Sequence, residues 1–227
     1  MEYIDLVEKK IITIDGPTAS GKSSLSRSLA RKLGWSWVST GAFYRALAFV
    51  AHKNSVDLED PEALVELFSQ HTIEVKPHKV QTEVHLDGKQ CSFEEIYSEE
   101  NGGRASTLSR HQKVRDAVLE LQRNCYQEPG LIAEGRDCGT VIFPDAQLKI
   151  FLEASAQSRV QRRGDQEDSE NREALAEDIK KRDKRDSTRK SAPMTKAEDA
   201  WALDTSNLSL SEVSEQVFKR AKETFSL

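Results

Sequence analysis

The apolar, β-branched run Ile11–Asp15 stops at Gly16, the pattern of a strand buried on both faces of a parallel sheet. After a loop at 16–21, Leu25, Leu29 and Leu33 recur four residues apart and predict a helix with one apolar stripe, closed by Gly34. Residues 35–39 read as a second strand and 42–54 as a second helix. Asp60-Pro61, a cap followed by proline at the first helical position, opens a helix to about Gln70. From Thr72 to Ser92 the period falls to two: Ile73 and Val75, then Val80, Thr82, Val84 and Leu86, with an Asp87-Gly88 turn. That texture predicts a small antiparallel sheet set into the chain as an insertion.

Helix and strand alternate again afterwards. Val114, Val118 and Leu121 mark a helix ending before Pro129-Gly130, and 131–134, Leu148–Glu153 and 200–204 read as strands. Ser209 with Glu212 forms a capping box for a closing helix. About five short apolar strands alternating with helices predict an α/β fold, a five-stranded parallel sheet flanked by helices on both faces.

Composition narrows the partners. The 227 residues carry 33 Lys+Arg and 38 Asp+Glu, a net charge of −5; 31% are charged and 37% hydrophobic. The length suits one domain with insertions or two small ones, with enough apolar residues for a real core. The acidic balance argues against a nucleic-acid partner. The apolar run 46–51 falls far short of the roughly 20 residues of a membrane span, so no membrane partner is expected. The first ten residues contain no apolar leader, and Cys91, Cys125 and Cys138 form no C-x-x-C pair, which points to a reducing cytoplasm. No long apolar patch calls for an obligate dimer, so a monomer is expected. His52, His71, His78, His85 and His111 fall in no ligand spacing, and Cys138 reads as a small packing residue.

One motif carries chemistry outright. Gly16-Pro17-Thr18-Ala19-Ser20-Gly21-Lys22-Ser23 fits G-x-x-x-x-G-K-[ST] between a strand and a helix, and Ser24 follows. Glycines let successive backbone N–H groups turn inward, and the helix N-terminus adds partial positive charge. Lys22 is placed to reach the β- and γ-phosphates of a nucleoside triphosphate and the Ser23 hydroxyl to ligate Mg²⁺. A second carboxylate near the metal has two candidates, Glu134 and Asp15, each ending a strand.

A kinase must also hold its acceptor, and a phosphorylated acceptor needs a cationic clamp. Arg45 and Arg136 each follow a strand, at the carboxyl edge where the phosphate loop lies. Arg159, Arg162 and Arg163 share one helix face at i, i+3, i+4, and Arg182, Asp186 and Arg189 share another at i, i+4, i+7, with Arg185 beside them. Arginine-biased helices after a phosphate loop suggest a lid over the triphosphate.

These motifs resemble those of the bacterial cytidylate kinases, nucleoside monophosphate kinases with a P-loop NTPase fold. The likeness runs nearly the length of the chain: residues 12–17 into the phosphate loop, Thr40-Gly41-Ala42-Phe43-Tyr44-Arg45, Val114-Arg115, Gly135-Arg136-Asp137-Cys138-Gly139-Thr140-Val141-Ile142-Phe143-Pro144-Asp145-Ala146, and Arg182-Asp183-Lys184-Arg185-Asp186 with Arg189. The resemblance implies transfer of a phosphoryl group from Mg²⁺-ATP to CMP or dCMP, with Lys22, Arg45, Arg136 and Arg189 at the chemistry. It implies that Thr40, Tyr44 and Arg45 line the acceptor site, that Arg45, Arg136 and Arg189 clamp its phosphate, and that Ser106, Arg115 and Asp137 read cytosine. Arg182 and Asp186 would hold the sugar. Arg159, Arg163 and Arg185 would fold over the ATP phosphates, and Arg162 would stack on adenine. The core would comprise 1–40, 128–155 and 191–227, the acceptor domain 41–127 with its insertion at about 72–92, and the lid 156–190. Two positions depart from the family pattern: Ser39 stands where Asp is frequent, and Glu134 where many relatives carry Asp. A kinase of another small molecule, or a non-catalytic nucleotide-binding module, are the competing readings.

Overall fold

A computed structural model describes residues 9–167 and 171–227. Residues 1–8 of the expected core segment and 168–170 of the expected lid lie outside the described residues. Strands β1 (Ile11–Asp15), β2 (Ser36–Ser39), β6 (Leu131–Gly135), β7 (Leu148–Glu153) and β8 (Trp201–Asp204) form one parallel sheet in the order β2-β6-β1-β7-β8. A second sheet of β3 (Ile73–Lys76), β4 (Glu83–Leu86) and β5 (Lys89–Gln90) is antiparallel and lies within the expected insertion. The helices are α1 (Lys22–Leu33), α2 (Gly41–Lys53), α3 (Pro61–Gln70), α4 (Phe93–Tyr97), α5 (Glu99–Leu108), α6 (Gln112–Arg123), α7 (Ala156–Glu167), α8 (Arg172–Thr188) and α9 (Leu210–Phe225).

The central strand β1 is buried along its whole length because alternate side chains enter two different cores. Ile12 and Ile14 join Leu25, Leu29, Ile150 and Val217 under α1 and α9. Ile11 faces the other way, with Val38 of β2 and with Phe43, Leu47, Leu64 and Val118 of the helices that precede β6. Both faces of the sheet are thereby covered, as parallel strands require. The carboxyl ends of β1, β2 and β6 open onto one edge, where the loops between strand and helix collect.

Most element ends fall within a residue or two of those expected. Strand β2 starts at Ser36 because the Trp35 N–H still bonds the Ala30 carbonyl, finishing the turn around Gly34. Two elements had no periodic signal: α4, which is five residues long, and α5, which contains Gly102-Gly103. Each is started by a serine cap, Ser92 accepting from the Glu95 N–H and Ser98 from the Asn101 N–H. After β6 the chain also makes a π-helical turn, Cys138–Ile142. One expectation is corrected. Arg189 is not on the face of α8, because the helix ends at Thr188 and Arg189 is extended at ψ 142°.

Leu64 of α3 is fully buried in the larger core and distant in sequence from every motif. Leu64→Ala is expected to cost about 2–5 kcal/mol in urea unfolding while leaving turnover per folded molecule unchanged.

Candidate active site

The phosphate loop obtains its shape from left-handed backbone at three places, Gly16 (φ 147°), Ala19 (φ 60°) and Gly21 (φ 95°). At Gly16 glycine is obligatory twice over, since a Cβ there would lie 2.4 Å from the Leu152 carbonyl oxygen of β7. Lys22 is buried and donates to the Pro17 carbonyl at 2.7 Å, folded back across the loop. Burial and the nearby Arg136 push its ammonium well below the usual lysine range. Glu134, Asp183 and Asp15 oppose that shift, and a polyphosphate in the loop would add to their counter-charge.

Of the two candidate carboxylates, only Glu134 meets Ser23, whose hydroxyl donates to it at 2.7 and 3.0 Å. Asp15 is engaged elsewhere, its two oxygens accepting the Cys138 and Gly139 N–H groups, both at 2.8 Å. Burial raises its carboxyl to about 6. It caps the π-helical turn and so fixes the backbone just past Arg136 and Asp137. Ser23 beside Glu134 suits a small hard cation held mostly by phosphate oxygens and water. Among the described residues no cluster of three or more His, Cys, Asp or Glu could hold a metal ion without that help.

A cationic cleft faces the loop. Arg136 reaches across it, Nη2 donating to the Thr18 hydroxyl at 3.0 Å and Nε to Asp186 at 2.9 Å. Arg45 of α2 lies close enough to Arg182, Arg163 and Arg136 that burial and these like charges lower its guanidinium to about 10. Arg115 and Arg189 both donate to Asp137, Arg189 at 3.0 Å, all three being buried. Tyr44 packs against Arg115, whose guanidinium lies 5.6 Å from its ring centroid, and burial pushes the phenol up to about 12. The Tyr44 hydroxyl is buried, with the Gln122 side chain beside it. Thr40 is less available, its hydroxyl donating to the Glu134 carbonyl at 2.9 Å.

The two arginine-rich helices close on this cleft through carboxylates that sequence spacing did not identify. Asp183 of α8 accepts the Thr18 N–H of the phosphate loop at 2.9 Å and also pairs with Arg159. Glu99 of α5 pairs with both Arg163 and Arg182, at 3.0 Å to Arg182. Arg185 donates to the Thr107 hydroxyl at 3.2 Å, and the Ser106 hydroxyl to Asp186 at 3.1 Å. Burial works to raise the Asp186 carboxyl, but Arg136 and Arg189 outweigh it and hold it low. Arg162 turns the other way and donates to the Thr205 hydroxyl at 2.9 Å. It borders a cavity of about 320 Å³ beside the loop, lined also by Ala19, Gly21, Leu152, Asp165 and Leu208.

A central strand, a curled loop and a helix led by Lys22-Ser23 define a P-loop nucleotide-binding protein with an arginine-lined second pocket. A family model described as cytidylate kinase matches residues 12–223. The cytidylate kinase of Bdellovibrio bacteriovorus is 46% identical over 213 residues, covering 93% of this chain and 97% of that protein. That of Cupriavidus pinatubonensis is 43% identical over 213 residues, covering 92% and 94%. The chain belongs to the cytidylate kinase family. A solved structure of an uncharacterized protein from Eubacterium ventriosum shares the fold, with a TM-score of 0.51 at 12% identity over 95% of this chain and 99% of that one.

The three free thiols differ in access. Cys91 is partly exposed, whereas burial pushes Cys125 up to about 12 and Cys138 well above the usual thiol range. In the native protein at mild alkaline pH, iodoacetamide is expected to alkylate Cys91 first, by peptide mass mapping, and Cys125 and Cys138 only after denaturation.

Proposed function

We propose that this enzyme transfers the γ-phosphoryl group of ATP to CMP or dCMP, giving ADP and CDP or dCDP. The observation that carries the reading is the reach of Arg136, which joins the phosphate loop at Thr18 to the acceptor-side carboxylate Asp186. A single half-buried guanidinium between two anion pockets suits a group that passes from one to the other. In this reading residues 16–24 cradle the ATP phosphates, with Arg159, Arg163 and Arg185 closing over them and Arg162 beside the adenine. Arg45, Arg136 and Arg189 clamp the acceptor phosphate. Asp137, Arg115 and Ser106 match the donor and acceptor edge of cytosine, Arg182 and Asp186 attend the sugar, and Thr40 and Tyr44 line the pocket.

Phosphoryl transfer passes through a loose, charge-rich transition state, so alignment and charge neutralisation supply most of the rate. Guanidinium forks meet phosphate oxygens two at a time, which is why arginine dominates this cleft. Ser23 and Glu134 would hold Mg²⁺, and the ion would supply neutralisation of phosphate charge. The lid at 156–190 and the acceptor domain at 41–127 close over the core and exclude water, so that the acceptor and not solvent receives the phosphoryl group. The unpaired thiols fit a cytoplasmic enzyme, and no described helix is long and apolar enough to cross a membrane.

A coupled ADP-release assay across nucleoside monophosphates tests the reading. CMP and dCMP are expected to be phosphorylated well above UMP and far above AMP; ATP turnover with a non-cytosine acceptor would place the chain with another kinase. Lys22→Ala is expected to abolish turnover yet melt near the parent, because the native ammonium is buried with the Pro17 carbonyl as its hydrogen-bond acceptor. Arg136→Ala is expected to lower kcat/KM by about 10²–10³, the usual loss for one preorganised donor at developing charge.

A further inference from the structure

Arg45 extends from α2, but the atoms that hold its guanidinium belong to the junction of α4 and α5. Nη1 donates to the carbonyls of Ile96 and Ser98, both at 3.0 Å. The Tyr97 ring between those two residues lies 5.3 Å from the guanidinium carbon. The Asn101 amide then staples the junction to α2, donating to the Arg45 carbonyl at 3.0 Å and the Ile96 carbonyl at 2.9 Å.

The remaining side of the seat is an empty one. A Cβ built on Gly102 would lie 2.7 Å from Arg45 Nη2 and 3.2 Å from Cζ and Nη1. Gly102 is inside α5 and has no left-handed backbone, so glycine is not there for its conformational freedom. Inside a helix glycine costs roughly 0.5–1 kcal/mol relative to alanine. The next residue, Gly103, has nothing within 4 Å of where its Cβ would be. Of the two adjacent glycines, only at Gly102 does a guanidinium occupy the space a methyl group would need.

We infer that Gly102 is a positioning residue for the phosphoryl acceptor, acting through Arg45. Its missing side chain, with the Ile96 and Ser98 carbonyls and the Tyr97 ring, sets where the Arg45 guanidinium stands. The inference rests on the reading of Arg45 as part of the acceptor-phosphate clamp. A methyl at 102 meets the far end of a flexible side chain, so it displaces the guanidinium instead of unfolding the helix. Misplacing a positioning group by about 1 Å can cost on the order of 10²-fold in rate.

The test compares Gly102→Ala, Gly103→Ala, Arg45→Lys, Arg45→Ala and the double variant Gly102→Ala/Arg45→Ala by steady-state kinetics with each substrate varied, alongside thermal melts. Gly102→Ala is expected to melt at or above the parent temperature, to raise the acceptor KM about tenfold or more, and to leave the ATP KM within about twofold. Gly103→Ala is expected to share the gain in stability without the kinetic defect. Adding Gly102→Ala to Arg45→Ala is expected to change nothing further, since the two act through one group. Additive losses in the double variant, or equal rises in both KM values with a lowered melting temperature, would assign Gly102 to packing and overturn the inference. If Arg45→Lys and Arg45→Ala impair the acceptor but Gly102→Ala does not, the inference fails and the clamp stands. If neither Arg45 variant affects the acceptor, the clamp reading fails first.

Discussion

Crowded positive charge is the constraint on which this structure depends. Arg45, Arg136, Arg163 and Arg182 stand close enough to depress the guanidinium of Arg45, and Arg115, Arg159 and Arg189 line the same region. Two like charges 4 Å apart repel by about 4 kcal/mol at an effective dielectric constant of 20, so the cluster cannot persist without counter-ions. Four carboxylates supply them, each spread over more than one donor. Glu99 takes Arg163 and Arg182, Asp137 takes Arg115 and Arg189, Asp186 takes Arg136 and Ser106, and Asp183 takes Arg159 and the Thr18 N–H. The same concentration of arginine is what the proposed pair of phosphorylated substrates would call for.

The fold delivers these groups to one edge. Because β1 is central and both faces of the sheet are packed, the loops after β1, β2 and β6 are anchored at the same rim, and with them Lys22, Arg45 and Arg136. Asp15 adds a second layer of support, since its carboxylate ties the end of β1 to the π-helical turn after Asp137. A buried carboxyl raised to about 6 is costly in itself. Two backbone N–H groups pointing into the interior would be worse without an acceptor.

The phosphate loop was legible in the sequence because its chemistry is local: strand, glycines, lysine and serine lie within a dozen residues. Arg136 was legible because a residue just past a strand of a parallel sheet has few places to go. Glu99, Asp183 and Gly102 left no such trace, for their meaning arises from pairing across helices that only the tertiary fold brings together. Elements α4 and α5 escaped because α4 is only five residues long, α5 contains two glycines, and both lack apolar periodicity; the serines of Ser92-x-x-Glu95 and Ser98-x-x-Asn101 were the available signals. Arg189 was assigned to a helix face by spacing alone. Spacing says nothing about where a helix stops, and one extended residue at the end of α8 instead delivers its guanidinium to Asp137.

The placing of the carboxylates bears on how such a cleft changes hands between its own side chains and its ligands. Asp183 bonds a backbone N–H of the loop that the motif reserves for phosphate, and Glu99 holds Arg163 and Arg182, which the proposed reading assigns to the ATP phosphates and the acceptor sugar. A phosphate oxygen entering either place substitutes one anion for another, and the arginine it meets is already partly desolvated and oriented. The free-energy cost of assembling cations in low dielectric is thus met during folding, by side chains joined to the same chain, and not at the moment of binding. Glu99 is on α5 and Asp183 on α8, and both make their pairs across elements, so the paired arginines share four carboxylates held by different parts of the fold.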